Sequence, residues 1–302
     1  MRFTNKHDLP EAVFKALTED HYDAGESDYS VTTILKPPRM VQLMRRHDEE
    51  LTQDAMDRLW SLLGTAVHKI FEDNTSADAV AELRVYLTML GRKIGGQLDH
   101  YRDGVITDYK VTSAWSWVYG SRIKEWTEQQ NIYAELYREN GFDIKQLQIM
   151  AVFRDWKETE YIKNPSQYPP LPIMPINLEI WPDDKVRDFI EYRTAKQIEA
   201  ENLPDDELPL CTEQEMWAMP SKYAVYKNNL KRASRVLDSE EEAEAWIKQA
   251  KEKDKKASTY EIRFRPGKRN RCEKYCPAAA FCSQHKKFLA EQEKNKDDNS
   301  DD

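Results

Sequence analysis

The sequence predicts an α/β fold, with a central mixed β-sheet flanked by helices and a small C-terminal α/β appendage that holds every cysteine. Three observations predict it. Segments of alternating apolar and polar residues between 81 and 112 are bracketed by amphipathic helical patterns. The Asp103-Gly104 pair joins two of those segments as a tight hairpin, because both residues tolerate positive φ. A compositional break at "LPDDELPLC" separates this long part from a shorter, highly charged one. With 302 residues the chain can bury one sizeable core and carry an accessory domain. The expected organisation is a core with an N-terminal helical region at 1–201, a cysteine-containing accessory domain at 202–290 and a disordered acidic tail at 291–302.

The elements follow in order. "PEAVFKAL" reads as a short helix, and "YSVTTILKPP" as an extended segment or helix start stopped by Pro37 and Pro38. From Arg39 to Glu72 the pattern is largely helical, interrupted before "DAMDRLWSLLGTAVHKIFE". There Leu59, Leu62, Leu63, Ala66, Val67 and Ile70 recur at helical spacing. Strands are expected at 81–90, 93–102 and 105–112, a helix at 120–140 and a further strand at 147–156. "YPPLPIMPINLEIWP" reads as a proline-rich crossing segment, and 183–201 as an amphipathic helix. In the appendage, "YAVYKN" and "RASRVLD" suggest a small hairpin. Ser239 caps the helix of "SEEEAEAWIKQAKEKDKK", and "TYEIRFRP" supplies a last strand.

Charged residues make up 33% of the chain and no apolar run reaches about eighteen residues, so no membrane span is expected. The start, "MRFTNKHDLPEAVF", lacks the apolar centre of a signal peptide, which points to a cytoplasmic setting. A net charge of -9 argues against broad wrapping in nucleic acid but leaves room for a local site. One is offered by "RFRPGKRNRCEKYC", where Arg263, Arg265, Lys268, Arg269, Arg271 and Lys274 can meet phosphates.

The chemistry concentrates in "GGQLDHYRDGVITDYKVTSAW". Alternation places Val105, Thr107, Tyr109 and Val111 on one face of the second strand and Ile106, Asp108 and Lys110 on the other. With Asp99 on the adjacent strand, two carboxylates converge, and hard ions such as Mg²⁺ or Mn²⁺ take oxygen ligands. Lys110 can orient an attacking water and stabilise developing phosphate charge, and Glu82 on the preceding strand offers another oxygen. An ordinary solvated ion pair is the other reading of the same residues. Cys211, Cys272, Cys276 and Cys282 offer four thiolates for Zn²⁺ or a [4Fe-4S] cluster, or stand as buried reduced cysteines.

Taken in order, these pieces resemble the PD-(D/E)XK nuclease superfamily, in particular its RecB-like branch, which includes phage-encoded exonucleases and CRISPR-associated adaptation exonucleases. "LGTAVHKIFE" resembles the helical Gly-x-x-x-His motif, "GGQLDHY" the first acidic motif and "ITDYKVTS" the Asp/Glu-x-Lys motif. "EQQNIYAELY" resembles the Gln-x-x-x-Tyr helix that follows them. The likeness covers about residues 58–156, and Gln97-Leu98 stand before Asp99 where the first acidic motif has its namesake proline. It implies a restriction-endonuclease-like fold, with His68, Asp99 and Asp108 as metal ligands and Lys110 as the catalytic lysine. Gln129 and Tyr133 would position the lysine or DNA. The terminal cysteine triple is similar to that of iron-sulfur members, although their distant cysteine precedes the core and Cys211 follows it.

The resulting expectation is a metal-dependent DNA exonuclease for single-stranded or frayed ends in phage-type recombination, replication or degradation. It would act in the cytoplasm of a host if phage-encoded, with unwinding left to a helicase or recombination partner. A structure-selective or nicking endonuclease and a non-catalytic DNA-binding assembly protein are the alternatives.

Overall fold

The computed structural model describes residues 1–19, 25–253 and 258–298, with side chains through Lys294. It is an α/β fold with a central mixed sheet flanked by helices and a small C-terminal α/β region that contains the cysteines. Two compact units are present: Met1–Val41 with Asp48–Leu203, and Gln42–His47 with Pro204–Asp302.

In the first unit, β1 (Arg2–Thr4) pairs in parallel with β3 (Thr52–Asp54), and α1 (Glu11–Thr18) lies between them in sequence. β2 (Tyr29–Ser30) runs into the short α2 (Val31–Ile34), where the Ser30 side chain accepts from the Thr33 N–H as an N-cap. The two prolines end that segment and also begin the next. Pro38 is the first residue of α3 (Pro38–Arg46), a position where its missing N–H has no helical partner to lose. The helical stretch expected up to Glu72 is therefore broken by β3 and a 3-10 turn at Ala55–Arg58 before α4 (Leu59–Asp73).

The strand region departs from expectation in an informative way. β4 (Val80–Ala81), β5 (Arg84–Met89), β6 (Arg92–Gln97), β7 (His100–Arg102) and β8 (Val105–Thr112) follow, then α5 (Ala114–Val118) and α6 (Ile123–Glu139). β9 (Gln146–Phe153), α7 (Glu158–Lys163), β10 (Ile173–Leu178) and α8 (Asp183–Glu201) complete the unit. The five-stranded sheet has the order β10-β9-β8-β7-β4; β8 and β9 are parallel and the other pairs antiparallel. A second sheet has the order β2-β6-β5. The single strand expected at 93–102 is thus two strands that belong to different sheets, parted at Leu98-Asp99. The proline-rich segment at 168–182 contains β10, an edge strand where Pro175 is tolerated. Ile106, Leu147, Ile149 and Ala151 of the sheet pack with Ile132, Leu136 and Tyr137 of α6 and with Val186 and Ile190 of α8.

The second unit contains α9 (Glu213–Met216), capped by Thr212 and Glu215 in a reciprocal box, and β11 (Ala218–Met219). β12 (Lys222–Lys227) pairs antiparallel with β13 (Arg235–Leu237) and, on its other edge, with β14 (Tyr260–Arg265). Against this sheet lies α10 (Glu240–Lys253), whose expected last turn at 254–256 lies outside the described residues. β15 (Lys268–Arg269) pairs with β11; α11 (Asn270–Lys274), a 3-10 turn at Ala279–Phe281 and α12 (Ser283–Asp298) close the unit. α12 continues through the first part of the stretch expected to be a disordered tail, since "AEQEKNK" is built of helix-favouring residues. Residues 299–302 of that tail lie outside the described residues.

Candidate active site

The site begins at the break between β6 and β7. Gly96 sits under α6: a Cβ there would meet side-chain carbons of Tyr133 and Leu136 at 2.8 and 2.9 Å. Where the chain leaves one sheet for the other, the Leu98 N–H donates to the Tyr137 hydroxyl at 3.2 Å, and that hydroxyl donates to the Leu83 carbonyl. One buried phenol therefore satisfies two backbone groups, and burial pushes its pKa up to about 12. Asp99 follows. Its Oδ2 accepts the Tyr109 N–H of β8 at 2.7 Å and lies 3.4 Å from His68 Nδ1.

His68 reaches in from α4, with Nε2 2.6 Å from the Tyr109 carbonyl. A carbonyl can only accept, so Nε2 must carry hydrogen, and the Asp99 oxygen favours hydrogen on Nδ1 as well. Burial opposes the imidazolium, but the hydrogen bond and charge of Asp99, with the charge of Asp108, raise the pKa of His68. Both ring nitrogens are occupied, so ligating an ion through His68 requires one of these contacts to give way.

Asp108 is buried on β8, with Oδ2 2.6 Å from Lys110 Nζ. The hairpin that carries it turns at Asp103 and Gly104, which have φ of 52° and 88°. Burial pushes the Asp108 carboxyl up to about 6; Lys110 opposes this and Asp99 adds to it. For Lys110, burial disfavours the ammonium, but Asp108 and Asp99 outweigh it and hold the pKa above its usual value.

Glu82, expected inside a strand, instead occupies the link between β4 and β5 with φ 52°. It accepts a hydrogen bond from Gln97 Nε2, and burial, then the charge of Asp99, raises its pKa. Gln129 and Tyr133 share α6 but meet different surroundings. Gln129 lines a cleft with Lys110, whereas Tyr133 is buried against Gly96.

That cleft, of about 560 Å³, is walled by Lys110, Thr112, Trp115, Tyr119, Gln129 and Arg154 among others. Trp115 opens into it; Trp117 packs against the core. The sequence argument did not single out Tyr119, Arg154 or Tyr137. Aromatic density in "AWSWVYG" was a signal for Tyr119. Nothing local marks Arg154, which arrives because β9 runs parallel to β8 and its N–H bonds the Thr112 carbonyl at 3.0 Å.

In the second unit, Cys211 is tied to the start of α12. Its N–H donates to Gln284 Oε1 at 2.9 Å, and Gln284 Nε2 donates to its carbonyl at 2.9 Å. Burial, then Glu215 and the other three thiols, pushes Cys211 up to about 12. Burial likewise pushes Cys276 up to about 11, with Cys272 and Cys282 adding to the rise. All four cysteines are free thiols. Of the basic residues, Arg263 pairs with Glu261 at 2.7 Å and Arg265 donates to the Tyr226 hydroxyl at 2.8 Å. Arg269 lies over Phe288, and Arg271 lies over Trp217 and donates to the Glu215 carbonyl. Lys268 and Lys274 are exposed.

Among the described residues, no group of three or more His, Cys, Asp or Glu side chains is arranged to hold a metal ion. In donor chemistry the set of His68, Asp99 and Asp108 still suits a hard divalent cation. The buried Asp108 Oδ2 accepts no well-aligned hydrogen bond despite its ion pair, which leaves it a lone pair to offer.

No family model matches the chain, and no curated protein matches it. Among solved structures the likenesses are distant. The crystal structure of SSO0001 aligns over 64% of this chain and 87% of its own, at 18% identity and a TM-score of 0.45. A candidate exonuclease from Eubacterium rectale aligns over 53% of this chain at 16% identity and a TM-score of 0.31, and 60% of its own length is covered. What the geometry itself defines is a class: an α/β protein with an acid–lysine ion pair and a second acid at a strand junction beside an open cleft.

Proposed function

We propose that this chain is a Mg²⁺- or Mn²⁺-dependent deoxyribonuclease of the PD-(D/E)XK type, an exonuclease that hydrolyses phosphodiester bonds at single-stranded or frayed DNA ends. The observation that carries the reading is the neighbourhood of Asp99, at the junction just before β7, with Asp108 and Lys110 on β8, which pairs with β7, and with Lys110 opening into the cleft. Asp99, Asp108 and His68 are the residues that would hold the cation, with Glu82 in electrostatic range, and the cation would supply Lewis-acid charge at the scissile phosphate. Lys110, kept charged by the two aspartates, meets the negative charge that develops on the phosphate. Burial raises the Asp108 pKa, so rising pH favours the paired carboxylates that suit a cation. Gln129 shares the cleft with Lys110 and is placed to orient it or the strand.

The same reading gives Cys211, Cys272, Cys276 and Cys282 a [4Fe-4S] cluster, with zinc as the alternative occupant; it would brace the second unit. Its support is that buried thiols raise one another's pKa there, as groups in one neighbourhood do. Phosphate contact falls to the exposed Arg263, Arg265, Lys268 and Lys274, and a helicase or recombination partner would open duplex ends.

The test is digestion of end-labelled linear single-stranded DNA with Mn²⁺ or Mg²⁺, by wild type and by Asp108→Ala. Cleavage lost on both chelation and substitution is the expected result. Intact linear and circular DNA under both metals sinks the catalytic reading. Iron, sulfide and zinc content of protein purified without oxygen tests the cysteine occupant.

A further inference from the structure

We propose, building on the deoxyribonuclease reading, that the Trp115–Tyr119 ring pair is a stacking platform for one unpaired base of the substrate strand, and that Arg154 beside it meets a backbone phosphate. Three large aromatic rings stand in water around this cleft: Trp115 is 45% exposed, Tyr119 75% and Trp60 56%. A chain that buries Trp126, Tyr133 and Tyr137 nearby has no packing reason to leave these three out, and clustered exposed apolar surface marks a binding site.

The platform is fixed before any ligand arrives. Trp115 and Tyr119 stack with centroids 6.0 Å apart and planes 23° from parallel. The buried Tyr168 meets Trp115 edge-on at 5.9 Å. Ser113 caps α5, and Asp155 holds both the Ser113 hydroxyl and the Ala114 N–H at 2.6 Å or less. A rigid aromatic face loses little freedom on binding, which favours affinity.

Charge complements the rings. In the cleft wall Arg122 is paired with Glu125 at 2.7 Å and Lys110 with Asp108, so among the described residues Arg154 is the lining cation without a direct carboxylate pair, Asp155 acting on it only through its charge. Its guanidinium lies 4.4 Å from the centre of the Trp60 ring, which holds it at the cleft's edge. A base stacked inside a duplex cannot offer its face to Trp115 while its own phosphate lies at Lys110. An unpaired base can, and because every base has a π-face the site tolerates any sequence.

The test is fluorescence anisotropy in EDTA, with a labelled oligothymidylate, a strand of the same length carrying abasic sites, and a duplex. Wild type binds the oligothymidylate more tightly than the other two. Trp115→Ala and Tyr119→Ala each weaken that binding by roughly 5- to 150-fold, the range that loss of one stacked base implies. Trp115→Phe recovers most of it. In the alanine variants the abasic strand loses little further, because ring and base act as one contact. Equal binding of abasic and base-bearing strands by wild type overturns the platform, as does duplex bound as tightly as single strand. So does unchanged binding by alanine variants whose melting curves match wild type. Cleavage is scored separately with Mn²⁺. The predicted binding pattern without any cleavage retains the platform and sinks the nuclease reading; metal-dependent cleavage with binding indifferent to Trp115 and Tyr119 does the reverse.

Discussion

Asp108→Asn should make the metal-free protein more stable at alkaline pH, a direct consequence of where its carboxylate sits. The side chain is buried and its pKa is pushed up to about 6 from an ordinary 3.8, with burial as the main cause. A folded pKa above the unfolded one means that the unfolded chain gives up its proton first. The contribution is therefore fully present below about pH 4 and lost as pH rises through about 6. Folding the ionised form costs about 3 kcal/mol relative to the neutral one. Asparagine copies the neutral carboxyl in shape and leaves Lys110 charged beside it, so it avoids that cost. For a unit of this size the gain corresponds to a rise in Tm of roughly 6–12 °C at pH 8 and close to none at pH 4. Thermal melts of both proteins in EDTA, followed by circular dichroism from pH 4 to 8, make the comparison, and the difference between them reports Asp108 together with the His68 and Lys110 charges it interacts with. An asparagine variant that melts below wild type at pH 8, or a difference that does not change with pH, would refute the reasoning.

Three further substitutions probe the surroundings. Tyr137→Phe strips the hydroxyl from the Leu98 N–H and the Leu83 carbonyl, so urea unfolding should show a loss of about 1–3 kcal/mol per unpaired group; unchanged stability contradicts the bridging role. Gly96→Ala puts a carbon 2.8 Å from Tyr133 and should cost about 1–3 kcal/mol, read in the same assay, unless α6 moves freely. Gln284→Ala removes both hydrogen bonds to the Cys211 backbone, and in metal-free protein Cys211 should then react faster with a thiol reagent at pH 8. An unaltered rate would mean that burial alone guards the thiol.

The parts of the fold legible in the sequence were those written in local periodicity. The helix expected at 183–201 is α8, and the Asp103-Gly104 turn has the positive φ values its residues allow. The change of sheets at Leu98-Asp99 left no such trace. Alternation is blind to which neighbour a strand pairs with, and Gly95 and Gly96 blur the pattern where the change occurs. β10 was hidden by Pro175, a residue that argues against a central strand but not against an edge. At the site, motif spacing drew attention to Asp99, Asp108 and Lys110, whereas Tyr137 and Arg154 come close only through helix packing and parallel pairing. No one-dimensional pattern encodes that kind of neighbourhood.

The Gln284 bridge also sets a schedule for biosynthesis. Its two hydrogen bonds join residues 73 positions apart, so these two backbone groups of Cys211 wait for their bridge until translation has passed Gln284 and that length has cleared the ribosome. Until then Cys211 is an ordinary accessible thiol on a nascent chain. The thiol is withdrawn from water only when the second unit closes upon itself, which makes that closure the last step in its protection.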